Sequence, residues 1–315
     1  MKRIAVIGNG KMAIDCLRII RERPDVEISL AITEPRASSL VDSLASHCEK
    51  ENILFLETAA LNSSDIIERV CEIGPDLIFN INSYRIIKER MLSIPKEGII
   101  NFHNGPLPRY GGVNACSWAI INGEKEHGVT WHYIDRGIDT GDIIAQSFFK
   151  IAPDETAVRL IMKCIHEGIA LFKEIFPKLL EGGIKPEKQD LSKSTYFSLK
   201  DIPNGGFVNF GWPYEKLESF IRGLSFHPMT NNFAHPKSIY NSREFFIQRI
   251  SKADGRSSIG DYGKVIDIGQ DRISVQIMDS IIAVRDVLDE HKNNIRIKDF
   301  IESYGIRVGE YFESR

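Results

Sequence analysis

IAVIGNGKMAIDCLRII, residues 4–20, joins a four-residue apolar run to Gly8-Asn9-Gly10 and then to Met12, Cys16, Ile19 and Ile20, which recur at helical spacing. A short apolar run closed by glycine is a buried strand, and the spacing beyond it is one face of an amphipathic helix. The same punctuation continues outward. Strands are expected over residues 26–32, 53–56, 76–80 and 98–102, with helices over 40–48 and 66–71 between them. Alternation of this kind predicts an α/β fold, a mostly parallel sheet covered on both faces. GVTWHY, residues 128–133, is a further strand, and Val158, Ile161, Ile165, Ile169, Phe172 and Phe176 mark a long helix over 155–180 that packs across the sheet.

The texture then changes. Gly182-Gly183 ends the helix, and residues 185–204 are polar, with Pro186, Gln189, Ser192, Lys193, Ser194 and Pro203, as expected of a linker. After a helix over 214–224, strands at 242–250, 263–268, 272–278 and 280–287 are separated by Gly, Asp and Asn turns, the spacing of a small β-barrel or curled sheet. The division expected is a first domain over 1–200 and a second over 205–315.

The chain has 315 residues, long enough for two domains, and is 43% hydrophobic and 26% charged. Forty Lys and Arg against 43 Asp and Glu leave a net charge of −3, so no basic excess draws in a polyanion, and nucleic acid is not an expected partner. Five scattered cysteines without a C-x-x-C pair suggest neither a disulfide framework nor a zinc site. No apolar run approaches the roughly twenty residues of a membrane span. A cytoplasmic protein without a metal or a membrane partner is expected.

Two motifs are candidates for chemistry. Gly8-x-Gly10-x-x-Ala13 matches a dinucleotide-binding pattern, and Glu34 follows the second strand, where an acidic residue would hold a ribose. This supports either a nicotinamide-dependent oxidoreductase or simply a tight strand-to-helix turn that favours glycine. Residues 99–112, IINFHNGPLPRYGG, and 128–144, GVTWHYIDRGIDTGDII, are richer. Asn101 and His103 are two apart at a strand end and so share a face, and Asp135, Asp139 and Asp142 punctuate the Gly-rich loop after another strand. At strand ends of a parallel sheet, an amide, an imidazole and a carboxylate can converge on one pocket. There the Asn N–H can stabilise an oxyanion, the His can move a proton, and the Asp can orient and charge-balance that His. No G-x-S-x-G elbow is present and Cys116 falls in an expected helix, so direct acyl transfer between two bound substrates is favoured over a covalent intermediate. His132 alternates with Trp131 and Tyr133, and either faces this cleft or packs within the sheet.

The pattern I-N-x-H, then L-P-R-Y-x-G, then Asp139 within D-x-G-x-D-T-G-D-I 36 residues after the histidine, closely resembles the 10-formyltetrahydrofolate-dependent formyltransferases. That family includes the methionyl-tRNA, glycinamide ribonucleotide, aminoarabinose and nucleotide-sugar enzymes. The resemblance implies a Rossmann-like catalytic domain and an OB-like β-barrel domain after it. It also implies Asn101, His103 and Asp139 as the catalytic set, with 10-formyltetrahydrofolate as formyl donor. The folate would lie against Gly105, Leu107 and Pro108, against Arg85, Ile86 and Ile87, and near the backbone of the loop that starts at Asp135.

Departures from the family pattern bear on the acceptor amine. Gly105-Pro106-Leu107-Pro108 replaces the usual S-L-L-P, and Gly112-Val113-Asn114-Ala115 replaces the G-A-A-P of the tRNA enzyme. NFHNGPLP and WHYID look more like the nucleotide-sugar branch. Residues 205–315 hold 15 Lys and Arg against 15 Asp and Glu, whereas a tRNA-binding barrel should be basic. Arg243, Arg249, Lys252 and Arg256 form the one local basic cluster singled out there. His227, His235, Asn231 and Asn232 are candidates for recognising a hydroxylated ligand. The expected substrate is an amino sugar on a nucleotide. The alternatives are an amino-acid or peptide amine in siderophore or nonribosomal peptide tailoring, and methionyl-tRNA. The sequence leaves open whether the second domain binds the acceptor or mediates a homodimer.

Overall fold

The apolar run that opens the chain becomes β1, Lys2–Gly8, with its last five residues buried. Gly8 closes that strand because a Cβ there would stand 2.4 Å from the Ile81 carbonyl oxygen. The computed structural model describes residues 1–35, 43–83, 85–226, 233–255 and 258–314. His227, Asn231, Asn232, Arg256 and the start of the helix expected over 40–48 lie outside these. Two compact units are present. The first comprises Met1–Gly112, Gly128–Phe149 and Met162–Tyr196, and the second Val113–His127, Lys150–Ile161 and Phe197–Arg315.

After β1 come α1 (Gly10–Arg21), β2 (Val26–Thr33), α2 (Leu44–Lys50), β3 (Phe55–Glu57), α3 (Ser64–Ile73), β4 (Leu77–Ile81), α4 (Glu89–Leu92), β5 (Ile99–His103) and β6 (Gly111–Gly112). They are followed by α5 (Ala115–Ile121), β7 (Glu126–Tyr133), β8 (Ile143–Lys150), α6 (Ala157–Leu180) and β9 (Tyr196–Phe197). The seven-stranded sheet has the order β3-β2-β1-β4-β5-β7-β8. Strands β3 to β5 are parallel, and the order reverses at β1 and β4, the switch point where such sheets bind ligands.

The sheet is mostly parallel as expected, and within it β7 runs antiparallel to β5, with Ile100 beside Tyr133 and His103 beside Thr130. Alternation reports which face a residue occupies and is silent about strand direction. The loop after β7 therefore starts beside the beginning of β5 and turns back to reach His103. Strand β8 was not anticipated either.

On the face opposite the site, Trp131, Phe79, Phe172 and Phe176 are wholly buried. Phe172 is their hub, with ring centroids 5.1 Å from Phe79, 5.0 Å from Trp131 and 5.2 Å from Phe176. Truncating such a ring costs about 3–5 kcal/mol. The Trp131 indole N–H donates to the Gly168 carbonyl at 3.1 Å, so the core carries this polar group satisfied.

The second unit contains α7 (Tyr214–Leu224), β10 (Lys237–Tyr240), β11 (Arg243–Ala253), β12 (Val265–Ile268), β13 (Ile273–Gln276), β14 (Ile281–Leu288), β15 (Asn294–Ile295) and α8 (Ile297–Tyr304). Its antiparallel sheet has the order β10-β11-β14-β13-β12, with β15 added to β14. Register shifts between β11 and β14 around Arg249 increase local twist, and the sheet curls as a small barrel does. Phe245 anchors its core, 4.9 Å from Phe300 and 4.8 Å from Phe312 by ring centroids.

Candidate active site

Sheet register puts three polar residues on one rung. Asn80 on β4 pairs with Asn101 on β5, and Asn101 pairs with His132 on β7. Partners on a rung face the same way. Asn80 Nδ2 donates to Asn101 Oδ1 at 2.7 Å, and Asn101 Nδ2 stands 3.0 Å from His132 Nε2. His132 Nδ1 donates to the Tyr133 carbonyl at 2.8 Å, so its proton resides there and Nε2 accepts from Asn101. The Asn101 amide is thus held at both ends, with one N–H beyond those used in the rung.

His103 follows on the same face and is 7% exposed. Its Nε2 donates to the Tyr110 carbonyl at 2.8 Å, and its Nδ1 lies 3.5 Å from Asp139 Oδ2. Both ring nitrogens face oxygen acceptors, which the imidazolium satisfies with its two N–H groups. Asp139 Oδ2 also accepts the Gly112 N–H at 2.8 Å, and Oδ1 is 3.6 Å from His132 Nε2. Burial alone would raise the Asp139 carboxyl. The charge of His103, the neighbouring His132 and the Gly112 N–H outweigh it and hold the group at about 2. Asp139 is therefore a carboxylate throughout the neutral range.

Tyr110 (φ 64°) and Asp139 (φ 56°) both lie in the left-handed region. Each pays about 1–2 kcal/mol for it, and each thereby places an acceptor on His103. Gly105 must be glycine for a different reason, since a Cβ there would stand 2.7 Å from His103 Nε2.

The loop after His103 forms a bonded arch. Thr130 donates to the Gly105 carbonyl at 2.7 Å and accepts the Leu107 N–H at 3.2 Å, while Gln146 donates to the Leu107 carbonyl at 2.8 Å. Leu107–Pro108 is a cis peptide. Asp135 accepts the Gly137 N–H at 2.9 Å and the Thr140 hydroxyl at 2.6 Å, so its carboxylate shapes the turn that leads to Asp139. The structure thus brings together Asn101, His103, Asp139 and Gly105. Arg85, Ile86 and Ile87 occupy the β4–α4 connection, the strand-to-helix loop in which the resemblance puts them. There Arg85 pairs with Glu34 at 3.2 Å, the Ile86 carbonyl accepts from Asn62 at 2.9 Å, and Ile87 is buried in the core.

The glycine motif serves packing. Asn9 Oδ1 accepts from the Thr33 hydroxyl at 2.8 Å and from the Glu34 N–H at 3.2 Å, tying the turn to β2. Together with the close approach at Gly8 and the Glu34–Arg85 pair, this accounts for Gly8 and Glu34 without a dinucleotide.

Sequence reasoning missed Asn80, although a polar residue within an apolar strand, followed by Asn101 within the next, was a usable signal. It also read residues 185–204 only as a linker. In the structure Glu187 bridges Ile143 through bonds of 2.7 and 2.8 Å, and Gln189 and Thr195 bond the two loops around His103. These pairings span up to 87 residues of sequence, from Pro108 to Thr195, and have no local signature.

Residues 2–175 match the family described as Formyl transferase, and residues 202–305 match Formyl transferase, C-terminal domain. The chain belongs to the formyl transferase family, whose donor is formyl-tetrahydrofolate. It is 29% identical to a methionyl-tRNA formyltransferase of Clostridium tetani, over 99% of this chain and 100% of that one. Among solved structures, the N-formyltransferase from Helicobacter canadensis, in complex with folinic acid and dTDP-3-aminofucose, aligns with TM-score 0.69 and 25% identity. That match covers 90% of this chain and 99% of the other. WlaRD, a sugar 3N-formyl transferase determined in the presence of dTDP and 5-N-formyl-THF, aligns with TM-score 0.70 and 26% identity, over 90% and 97% of the two chains.

Proposed function

We propose that the protein transfers the formyl group of 10-formyltetrahydrofolate to the primary amine of a nucleotide-linked amino sugar. The observation that carries the acceptor is the likeness, over 90% of this chain, to an N-formyltransferase in complex with dTDP-3-aminofucose and to a sugar 3N-formyl transferase. The balanced charge of residues 205–315 supports the same reading.

The site suits such a donor, because formyl transfer needs N–H donors and a protonable base at one point, and Asn101 and His103 share one sheet face to which the β7–β8 loop brings Asp139. When bound, the folate supplies a formyl carbon open to attack by the amine. Asn101, fixed by Asn80 and His132, offers its remaining N–H to the oxygen on which negative charge develops. His103 carries the proton on Nε2, where the Tyr110 carbonyl accepts it between turnovers, and passes it from the amine side to the departing nitrogen. Asp139 balances the imidazolium charge from 3.5 Å. The new C–N bond forms at the acceptor as the formyl–folate C–N bond breaks, so no covalent enzyme species is required.

Methionyl-tRNA as acceptor is the second reading, favoured by the full-length likeness to the Clostridium tetani enzyme. Incubating the protein and 10-formyltetrahydrofolate with dTDP-3-aminofucose, and separately with charged initiator tRNA, tests both. A one-formyl mass gain on the sugar nucleotide supports the first reading. Formylation of tRNA alone overturns it.

A further inference from the structure

One segment, residues 187–195, bonds both residues that hold His103. Gln189 Nε2 donates to the Asp139 carbonyl at 2.8 Å and to the Gly141 carbonyl at 2.7 Å, a fork across the left-handed residue. Thr195 Oγ1 accepts the Tyr110 N–H at 2.8 Å, the Thr195 carbonyl accepts the Gly111 N–H at 2.9 Å, and the Thr195 N–H donates to the Pro108 carbonyl at 3.3 Å. The segment is anchored before Gln189 by the paired backbone bonds of Glu187 and Ile143. The two left-handed residues with side chains beside His103 are therefore each pinned from the same strap.

We infer that Gln189 and Thr195 are positioning residues. By fixing the backbones of Asp139 and Tyr110, they set the two oxygen acceptors that face the His103 ring and so the proton affinity of that ring. Left-handed residues with a Cβ relax when their restraints are removed, and a rotation at Asp139 or Tyr110 carries its acceptor away from the imidazole. Loss of either acceptor disfavours the imidazolium. Among the titratable groups that face His103 are Asp139 and, at 6.4 Å between ring centroids, His132. The inference rests on the reading of His103 as the proton-carrying residue, but its test reads the ring itself.

The test is the pH titration of His103 followed by nitrogen NMR of the imidazole in the full-length protein, without substrates. Gln189→Met keeps the side-chain length and removes both donors; Thr195→Val removes the acceptor hydroxyl and Thr195→Ser keeps it. The His103 midpoint is expected to fall by about half a pH unit or more in Gln189→Met and in Thr195→Val, and to stay near the wild-type value in Thr195→Ser. The kcat of the first two should fall about tenfold, as for a misaligned base. Unchanged midpoints in folded Gln189→Met and Thr195→Val would overturn the inference. Should Gln189→Met not fold, the valine and serine variants at 195 decide it: a shift with valine alone supports it, and no shift with either contradicts it. A failure of the His103 assignment would be seen separately, as full activity in His103→Ala.

Discussion

Asn101 and His132 are neighbours across β5 and β7, and the amide Nδ2 of the one lies 3.0 Å from the imidazole Nε2 of the other. The contact fixes which way the Asn101 amide points, because its oxygen is already committed to Asn80. Replacing His132 by Ala should leave the amide free to rotate and lower kcat about tenfold, roughly 1.4 kcal/mol of transition-state stabilisation. Steady-state kinetics on the formylated product measure this, and an unchanged kcat would remove His132 from the account.

Asp139 makes a prediction in both activity and stability. Asp139→Asn removes the charge facing His103 and should reduce kcat by about a thousandfold or more, as loss of a histidine-orienting carboxylate does elsewhere. The folded-state carboxyl is held at about 2, below its ordinary value of 3.8. Its contribution to stability is therefore complete above pH 4 and is lost as the pH falls towards 2, an effect of about 2 kcal/mol. Denaturant titrations of wild type and Asp139→Asn should thus give a stability difference that changes between pH 5 and pH 2.5, against the wild type at the lower pH. A constant difference across that range would mean that the carboxylate is not selectively stabilised by folding.

Gly105→Ala places a methyl group where only 2.7 Å separates it from His103 Nε2. The ring has to move, and a displacement on the order of 1 Å at a reacting group costs about a hundredfold in rate. Circular dichroism should remain that of the wild type, since the arch is bonded through Thr130 and Gln146 on the neighbouring strands. Wild-type turnover in this variant would show that the His103 position is not critical.

The sheet, the long helix and the curled second sheet were legible because burial leaves a periodic trace in strands such as Ile99–His103 and helices such as Tyr214–Leu224. Asn101, His103 and Asp139 were legible because their residue types recur at a family spacing. Two things were not. The direction of β7 leaves no trace in its alternation, yet it decides that His132 stands beside Asn101 and that the Asp139 loop must fold back. Gln189 and Thr195 sit in a polar stretch whose composition is that of any linker, and their importance arises only from hydrogen bonds to loops distant in sequence.

The central claim is that His103 carries the proton in formyl transfer. The most direct measurement is the single-turnover rate of formyl transfer from 10-formyltetrahydrofolate to dTDP-3-aminofucose by His103→Ala beside wild type, with folate binding measured in parallel. The account predicts a loss of about a thousandfold or more in rate with folate affinity largely retained. Transfer by His103→Ala at the wild-type rate would contradict it.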